Sequence, residues 1–343
     1  MKRIYLDQNK WILLAEGWYN GNEEIVEIVN TLKEKIKEGG IIIPLSFAHV
    51  SETMKRDDKK SREKLWNFMM ELSGNNTICP FSRYLTKIEA RNVFNRRKGM
   101  PELDIKKWIF RKGISGLLGV KATLQNTEGI PQNILDEMLS KVDSFETFDK
   151  ILSLPEMTQR AKRTSKAFID DTINLNQVRD KERSAFKDKH FGNKVIKARH
   201  FAGEVFPILA ELNKEFNLPV HAILKERAKE EDAEALLQEF PCEYSYFCLT
   251  DRRDRERTRE IDPHDMNDIF SLSVAIPYCD IVFGEKMFLQ IAKHSKLDKL
   301  YNTKLITSLN EFKELITQDK NGKNPPSKSN KKILNRNANR KTI

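Results

Sequence analysis

Residues 262–285 read DPHDMNDIFSLSVAIPYCDIVFGE, and this stretch decides the fold that we expect. Asp262 and Pro263 suit an N-cap and a first helical residue, so they predict that a helix begins there. Apolar residues then recur at helical spacing. The run at 281–283 (IVF) is short and wholly apolar, which is typical of a buried parallel strand. The stretch therefore predicts a helix followed by a core strand.

Carboxylates are concentrated in the same stretch. Asp265 and Asp268 lie three residues apart, which places them on one face of the predicted helix. Asp280 and Glu285 flank the predicted strand. Carboxylates that converge at the edge of a sheet repel one another unless a cation lies between them. The pattern therefore predicts a divalent metal site.

Most of these acids also have an ordinary structural explanation. Asp262 suits a helix cap, and Asp265 suits the acidic third residue of a capping box. Asp280 could be a strand-end turn residue, and Glu285 could be an ordinary acid at a helix start. Asp268 lies one turn further along the helix, where capping no longer explains an acid on the apolar face. The grouping of these residues, rather than any single one, favours the metal site.

Two N-terminal segments extend the pattern. Residues 2–6 (KRIYL) predict a strand, and Asp7 follows it directly. Residues 41–43 predict a second strand, and Glu52 falls nearly two turns into the helix after it. Open α/β sheets place their active sites at the carboxyl ends of the strands. His49 shares a helix face with Glu52, but we interpret it as a partly buried polar residue and leave it out of the catalytic set.

The order of a strand with Asp7, a strand with PLSFAHVSE and Glu52, and then NDIFSLSVAIPYCDIVFGE resembles the PIN-like nuclease domain of many bacterial proteins. The match covers about residues 1–80 and 245–317. The resemblance implies an Mg²⁺ or Mn²⁺ site with Asp7, Glu52, Asp268 and Asp280 as catalytic metal ligands, and with Asp265 and Glu285 as neighbouring or alternate ligands. The family usually has an aspartate where this chain has Glu285. Spacing leaves the choice between Asp265 and Asp268 open, although the capping argument favours Asp268.

The residue types suit this chemistry. Two-metal phosphodiester hydrolysis uses carboxylates to hold two ions roughly 4 Å apart, one activating a water and one stabilising the leaving oxygen. Carboxylates suit Mg²⁺ and Mn²⁺, whereas thiolate and imidazole suit zinc. The sequence contains no G-x-S-x-G, P-loop, G-x-G-x-x-G or H-E-x-x-H motif, and its four cysteines form no C-x-x-C pair.

We predict an α/β fold, a PIN-like parallel sheet flanked by helices, with a large all-helical insertion. The PIN-like domain is expected to be discontinuous, comprising residues 1–84 and 241–317, with 85–240 as the insertion. A further strand is predicted at 304–306. Residues 318–343 are polar, basic and contain Pro-Pro, so we expect a disordered tail.

The net charge of +10 is unevenly distributed along the 343 residues. The ranges 87–112, 160–200 and 318–343 carry +6, +7 and +7, so the rest of the chain is acidic. An acidic catalytic body with separate basic regions suits a polyanionic substrate. The range 87–112 also interleaves aromatic residues with its Arg and Lys, as stacked bases and phosphates require. For any single residue of that range, an amphipathic helix with core aromatics and a solvated basic face is the preferred explanation.

These observations favour a cytoplasmic, metal-dependent nuclease that acts on single-stranded RNA rather than DNA, the preference for RNA following from the resemblance. A toxin-like or defence effector held by a regulatory protein partner would share this chemistry. The alternative is a catalytically weak module that binds nucleic acid or protein. No signal peptide and no apolar run of membrane length is apparent in the sequence, so we expect no membrane partner.

Overall fold

The computed structural model describes residues 1–119, 129–143, 150, 170, 173–174, 177–179, 181–182, 184–187, 189–219, 230–255 and 263–317. Asp262 and the tail at 318–343 lie outside these ranges, so the predicted cap and the predicted disorder are not addressed. Within the described residues, no helix has the length and apolar character needed to cross a membrane.

The centre of the fold is a four-stranded parallel sheet. The strands of the described residues are β1 (Lys2–Leu6), β2 (Ile41–Ile42), β3 (Asn76–Ile78), β4 (Phe110–Lys112), β5 (Ile281–Phe283) and β6 (Lys304–Ile306). The parallel sheet has the order β2-β1-β5-β6. Strand β1 therefore lies between its early neighbour β2 and the late strand β5, with Ile4 aligned to Ile281 and Leu6 aligned to Phe283.

Helices surround the sheet and account for most of the described chain. In chain order they are α1 (Gln8–Tyr19), α2 (Glu23–Lys37), α3 (Phe47–Met54), α4 (Lys59–Ser73), α5 (Arg83–Arg97), α6 (Lys106–Ile109), α7 (Gly113–Leu118), α8 (Gln132–Val142), α9 (Lys189–His200), α10 (Phe206–Phe216), α11 (Glu230–Leu237), α12 (Pro241–Arg255), α13 (Pro263–Tyr278), α14 (Lys286–His294), α15 (Leu297–Tyr301) and α16 (Leu309–Thr317). A π-helical turn, Phe201–Val205, joins α9 to α10.

Alternating residues of the strands point into two separate hydrophobic cores. Ile4 and Leu6 of β1 join one core, in which α1, α2, α4 and α16 pack. Tyr5, between them, joins a second core with residues of α5, α10, α12, α13 and α14. This alternation follows from the two-residue repeat of a strand, and it gives the sheet an apolar layer on both faces.

The predicted sheet strands are confirmed at 2–6, 281–283 and 304–306, and the second strand is confirmed at Ile41–Ile42. The helix of the deciding stretch begins at Pro263, as predicted. The chain is thus an α/β protein with a parallel sheet.

The prediction that residues 85–240 are all helical is wrong at β4. Helix α5 ends near Gly99, which has a φ of 65°, and Pro101 follows. After the short helix α6, Phe110–Lys112 pairs antiparallel with β3. Leu45 bridges to Thr77 of β3 in parallel, so this two-stranded sheet continues the edge of the main sheet beyond β2. Helices α5, α6, α9, α10 and α11 of this region also contribute to the second core with the sheet.

Candidate acidic site

Asp7 and Glu285 lie together at the carboxyl edge of the sheet. Asp7 directly follows β1, and its backbone amide donates to the carbonyl oxygen of Phe283, the last residue of β5, at 2.9 Å. Its side chain caps α1 by accepting from the amide of Gln8 at 2.8 Å. The amide of Glu285 donates to the other carboxylate oxygen of Asp7 at 3.3 Å. The two residues are therefore brought together by the pairing of β1 with β5.

The residue between β5 and Glu285 contributes to this approach. Gly284 lies beside Asp7, and a Cβ atom on it would stand 3.5 Å from the Asp7 Cβ, which is an ordinary van der Waals distance. The amide of Gly284 donates to the carbonyl oxygen of Ile306 at 3.0 Å. Backbone pairing with β6, rather than the lack of a side chain, thus directs the chain past Asp7.

Glu52 and Asp268 reach the same edge from helices. Glu52 lies on α3, after β2, and accepts a hydrogen bond from Asn267 Nδ2 at 3.2 Å. Asn267 immediately precedes Asp268 on α13, so this bond holds α3 and α13 together beside the acids. The structure therefore brings Asp7, Glu52, Asp268 and Glu285 to one region.

The electrostatics of the site show how closely the four acids are gathered. Burial raises the pKa of Asp268 well above its usual range, and the charges of Asp7, Glu52 and Glu285 raise it further. Burial also raises the pKa of Asp7, with contributions from Glu285 and Glu52, although hydrogen bonds from backbone amides oppose the shift. Such shifts are expected where like charges share a poorly solvated space without a counter-charge.

Asp265 lies close to Asp268 but has a different partner. Its carboxylate accepts from Arg253 Nε at 2.7 Å, and a second guanidinium nitrogen lies 2.6 Å from the same oxygen. Asp265 is 1% exposed and Arg253 is 3% exposed. This buried ion pair fastens α13 to α12. Asp268 is therefore the better ligand candidate of the two, as the capping argument predicts.

Asp280 lies at the opposite edge of the sheet from the cluster. It precedes β5, and Oδ2 of its side chain accepts from the backbone amide of Arg3, in the first half of β1, at 2.7 Å. The Arg3 guanidinium lies 4.0 Å from the same oxygen. The prediction that Asp280 is a catalytic metal ligand is wrong on this geometry, because a strand places the residues before and after it at opposite ends.

The donor set fits a hard divalent cation in kind, because all four acids offer carboxylate oxygens. In this conformation, however, no three Asp, Glu, His or Cys side chains of the described chain are gathered tightly enough to hold one ion. The carboxylate of Asp7 already accepts hydrogen bonds from backbone amides, and the carboxylate of Glu285 accepts one from Asn9 Nδ2. Ion binding therefore requires these side chains to turn toward Glu52 and Asp268.

The sequence patterns did not identify several polar residues that lie beside the acids. Asn267 and Asn9 each donate to an acid of the cluster. The charges of Asp7 and, less strongly, Asp268 add to the effect of burial in raising the pKa of Tyr5. The only sequence signal for Asn267 and Asn9 is their position next to or near a predicted acid. His49, which the sequence analysis leaves out of the set, is buried, caps α3 and stacks on Tyr5 at 5.1 Å.

The basic range at 87–112 is partly engaged in ion pairs. Four of its nine cationic residues contact acids of other elements or of the following loop. Arg91 forms two bonds with Glu215 at 2.6 and 2.7 Å, and Arg97 forms two with Glu239, both at 2.7 Å. These residues join α5 to α10 and to the start of α12, which supports the structural explanation of this range.

No protein-family model matches the chain, and neither the curated proteins nor the solved structures contain a significant match. The resemblance to PIN-like nucleases therefore stays a prediction.

Proposed function

We propose that this protein is a metal-dependent nuclease that hydrolyses phosphodiester bonds in single-stranded RNA in preference to DNA. The observation that carries the proposal is the convergence of Asp7, Glu52, Asp268 and Glu285 at the carboxyl edge of a parallel sheet. That edge is where open α/β folds bind their ligands. Outside an active site, this gathering of acids is a costly arrangement, because burial and neighbouring charges raise the pKa of Asp7 and Asp268.

A divalent cation such as Mg²⁺ or Mn²⁺ would be held by these four carboxylates. When bound, it would lower the pKa of a water and stabilise the leaving oxygen of the phosphodiester. The chain's own contribution is to gather the carboxylates on rigid elements. Without an ion, Asn267 and Asn9 hold Glu52 and Glu285, and the backbone amides at 8 and 285 hold Asp7, so an ion would replace some of these hydrogen bonds.

The decisive experiment compares two aspartates of the same segment. We expect Asp268→Asn to abolish Mn²⁺- or Mg²⁺-dependent cleavage of labelled single-stranded RNA. Asp280→Asn should retain it, because Asp280 lies at the other edge and an asparagine oxygen can still accept from the Arg3 amide. Parallel reactions in EDTA and with single-stranded DNA test the metal and the polymer. Cleavage that survives Asp268→Asn would contradict the proposal.

A binding module without catalysis is the second candidate. It is favoured by the lack of a tightly gathered ligand trio in the described chain and by the glutamate at position 285. A binding module should keep its RNA affinity in EDTA, and Asp7→Asn should leave the affinity unchanged or raise it by removing a negative charge. Binding without cleavage in every metal would favour this candidate.

A role as a toxin-like or defence effector would use the same site. It predicts that expression of the wild-type chain slows growth and that Asp268→Asn relieves the effect, whereas Asp280→Asn does not. Growth inhibition by all three proteins would argue against it.

A further inference from the structure

A cavity of about 420 Å³ lies beside α13, on a different side of that helix from the acidic cluster. Its walls come from α9, the π-helical turn, α12, α13, the loop after β3, and Val178, Arg179 and Glu182. Asp268 and Phe270 are two residues apart on α13, so they point in different directions from one short segment. Phe270 lines the cavity, while Asp268 belongs to the cluster.

Three nearly parallel aromatic rings form one wall. Phe81 and Tyr246 lie 4.7 Å apart at an interplanar angle of 18°, and Tyr246 and Phe270 lie 5.6 Å apart at 14°. All three residues are partly buried, so their rings keep some exposed surface. Parallel aromatic faces of this kind are what stacked bases use in proteins that bind single-stranded nucleic acid.

Two buried polar side chains complete the cavity. His200 Nε2 and Glu243 Oε2 lie 3.2 Å apart, and each side chain is 5% exposed. Neither atom has a hydrogen-bond partner among the described residues, so their contact is an ion pair, when His200 is protonated, rather than a hydrogen bond. The other oxygen of Glu243 accepts from Thr86 Oγ1 at 2.6 Å, which fixes the carboxylate. Two buried polar atoms without a hydrogen bond are costly, and a ligand that bonds to both removes the cost.

Building on the nuclease assignment, we propose that this cavity binds one nucleobase of the single-stranded substrate. A nucleobase presents a donor and an acceptor side by side on its hydrogen-bonding edge. Glu243 Oε2 accepts from the donor, and His200, with its proton on Nε2, donates to the acceptor. The aromatic wall stacks against the ring. Arg199 at the rim is exposed and pairs with Glu182, and a phosphate of the bound strand would compete for its guanidinium.

The two sites would then act on one strand. A base held against Phe270 leaves the backbone of the strand passing α13, whose other side carries Asp268. The cavity therefore positions the phosphodiester rather than taking part in its hydrolysis.

The test measures binding in EDTA, where no metal-dependent cleavage occurs. We expect AMP, GMP, CMP and UMP to bind wild-type protein in titration calorimetry, and ribose 5-phosphate to bind at least about tenfold more weakly because it has no base to pair or stack. Tyr246→Leu should weaken nucleotide binding by about fivefold or more through loss of stacking. Tyr19→Leu is the matched control, since Tyr19 is an exposed aromatic on α1.

Several outcomes would overturn the proposal. These are the absence of nucleotide binding, equal binding of ribose 5-phosphate, or unchanged binding by a folded Tyr246→Leu. Glu243→Leu supplies a second variant with the same expected loss, and the comparison of ligands on wild-type protein needs no variant. Nucleotide binding without RNA cleavage would reject the nuclease alone. Cleavage without nucleotide binding would reject the base site alone.

Discussion

In the acidic site, the pKa of Asp268 is raised more strongly than that of Asp7. Burial and the charges of neighbouring carboxylates raise the pKa of Asp268. Ionising Asp268 in the folded protein therefore costs free energy and destabilises the fold. Because the folded-state pKa is raised, the unfolded chain releases this proton first. Stability therefore falls as the pH rises above the ordinary aspartate value of 3.8 and toward the raised value.

We therefore expect Asp268→Asn to be more stable than wild type at pH 7 in EDTA. A gain of about 1 kcal/mol corresponds to a rise of about 1–2 °C in melting temperature for a chain of this size. Mn²⁺ should raise the melting temperature of the wild type but not that of the variant, because a ligand stabilises only the state it binds. Thermal unfolding with and without Mn²⁺ measures both effects. A variant that melts below wild type in EDTA would contradict this account of the site.

Glu89 is a second residue whose raised pKa makes stability depend on pH, and it is not part of the acidic site. Burial raises its pKa to about 8, although Tyr278 Oη at 2.7 Å and the amide of Cys242 at 3.1 Å donate to it. Between the ordinary value of 4.5 and about 8, the folded protein holds a proton that the unfolded chain has lost. Glu89 therefore contributes a loss of stability as the pH rises through this window.

Glu89→Gln removes the titrating group and keeps an oxygen that accepts both hydrogen bonds. We expect the free energy of unfolding of the variant to fall less between pH 5 and pH 8 than that of the wild type. Urea unfolding at the two pH values measures the difference. An identical pH slope in both proteins would show that Glu89 does not hold its proton in the folded state.

At the scale of single elements, the ion pairs of α5 differ in burial and should differ in their contribution to stability. Arg97 and Glu239 are 12% and 14% exposed as side chains, whereas Arg91 and Glu215 are 32% and 51% exposed. Glu239→Gln leaves a mostly buried guanidinium without its full counter-charge, so we expect a loss of about 2 kcal/mol or more. Glu215→Gln is the matched control and should cost less than about 1 kcal/mol. Chemical denaturation compares the two, and equal losses would contradict the role of burial.

The sequence predicted the elements that carry their own local signals. The strand before Asp7, the strand at 281–283 and the helix that follows Asp262 were predicted correctly because buried apolar residues recur at strand or helix spacing. Strand β4 was missed because its sequence, Phe-Arg-Lys, has no apolar run, and its pairing with β3 specifies it instead.

The acidic site was predicted in part for the same reason. Asp7, Glu52, Asp268 and Glu285 were found from their positions relative to strands and helices. Asp280 was included because it flanks the same strand as Glu285, yet the five-residue step between them spans about 16 Å along an extended chain. The Arg253–Asp265 ion pair joins two helices, so no local sequence pattern predicts it. Glu243 and His200 meet only through tertiary packing.

At the scale of the whole molecule, charge should govern affinity for nucleic acid. In the range 87–112, Lys87, Arg91 and Arg97 of α5 are paired with acids of the protein itself. The range 318–343, in contrast, carries eight Lys or Arg and one acid. We expect truncation after Thr317 to weaken binding of single-stranded RNA in EDTA and to flatten its dependence on salt, since each lost phosphate contact removes released counterions. Arg91→Gln should leave both quantities nearly unchanged. An unchanged salt slope in the truncated protein would assign the tail another role.

The placement of β1 between β2 and β5 also determines when the protein can become active during its synthesis. Asp7 leaves the ribosome well before its neighbours at 268 and 285, which lie far later in the chain. At about 5–20 residues per second, the segment that carries Asp7 waits many seconds for the strand that pairs with it. A nascent chain therefore carries a separated set of acids, and any nuclease activity is absent until residue 285 has been translated.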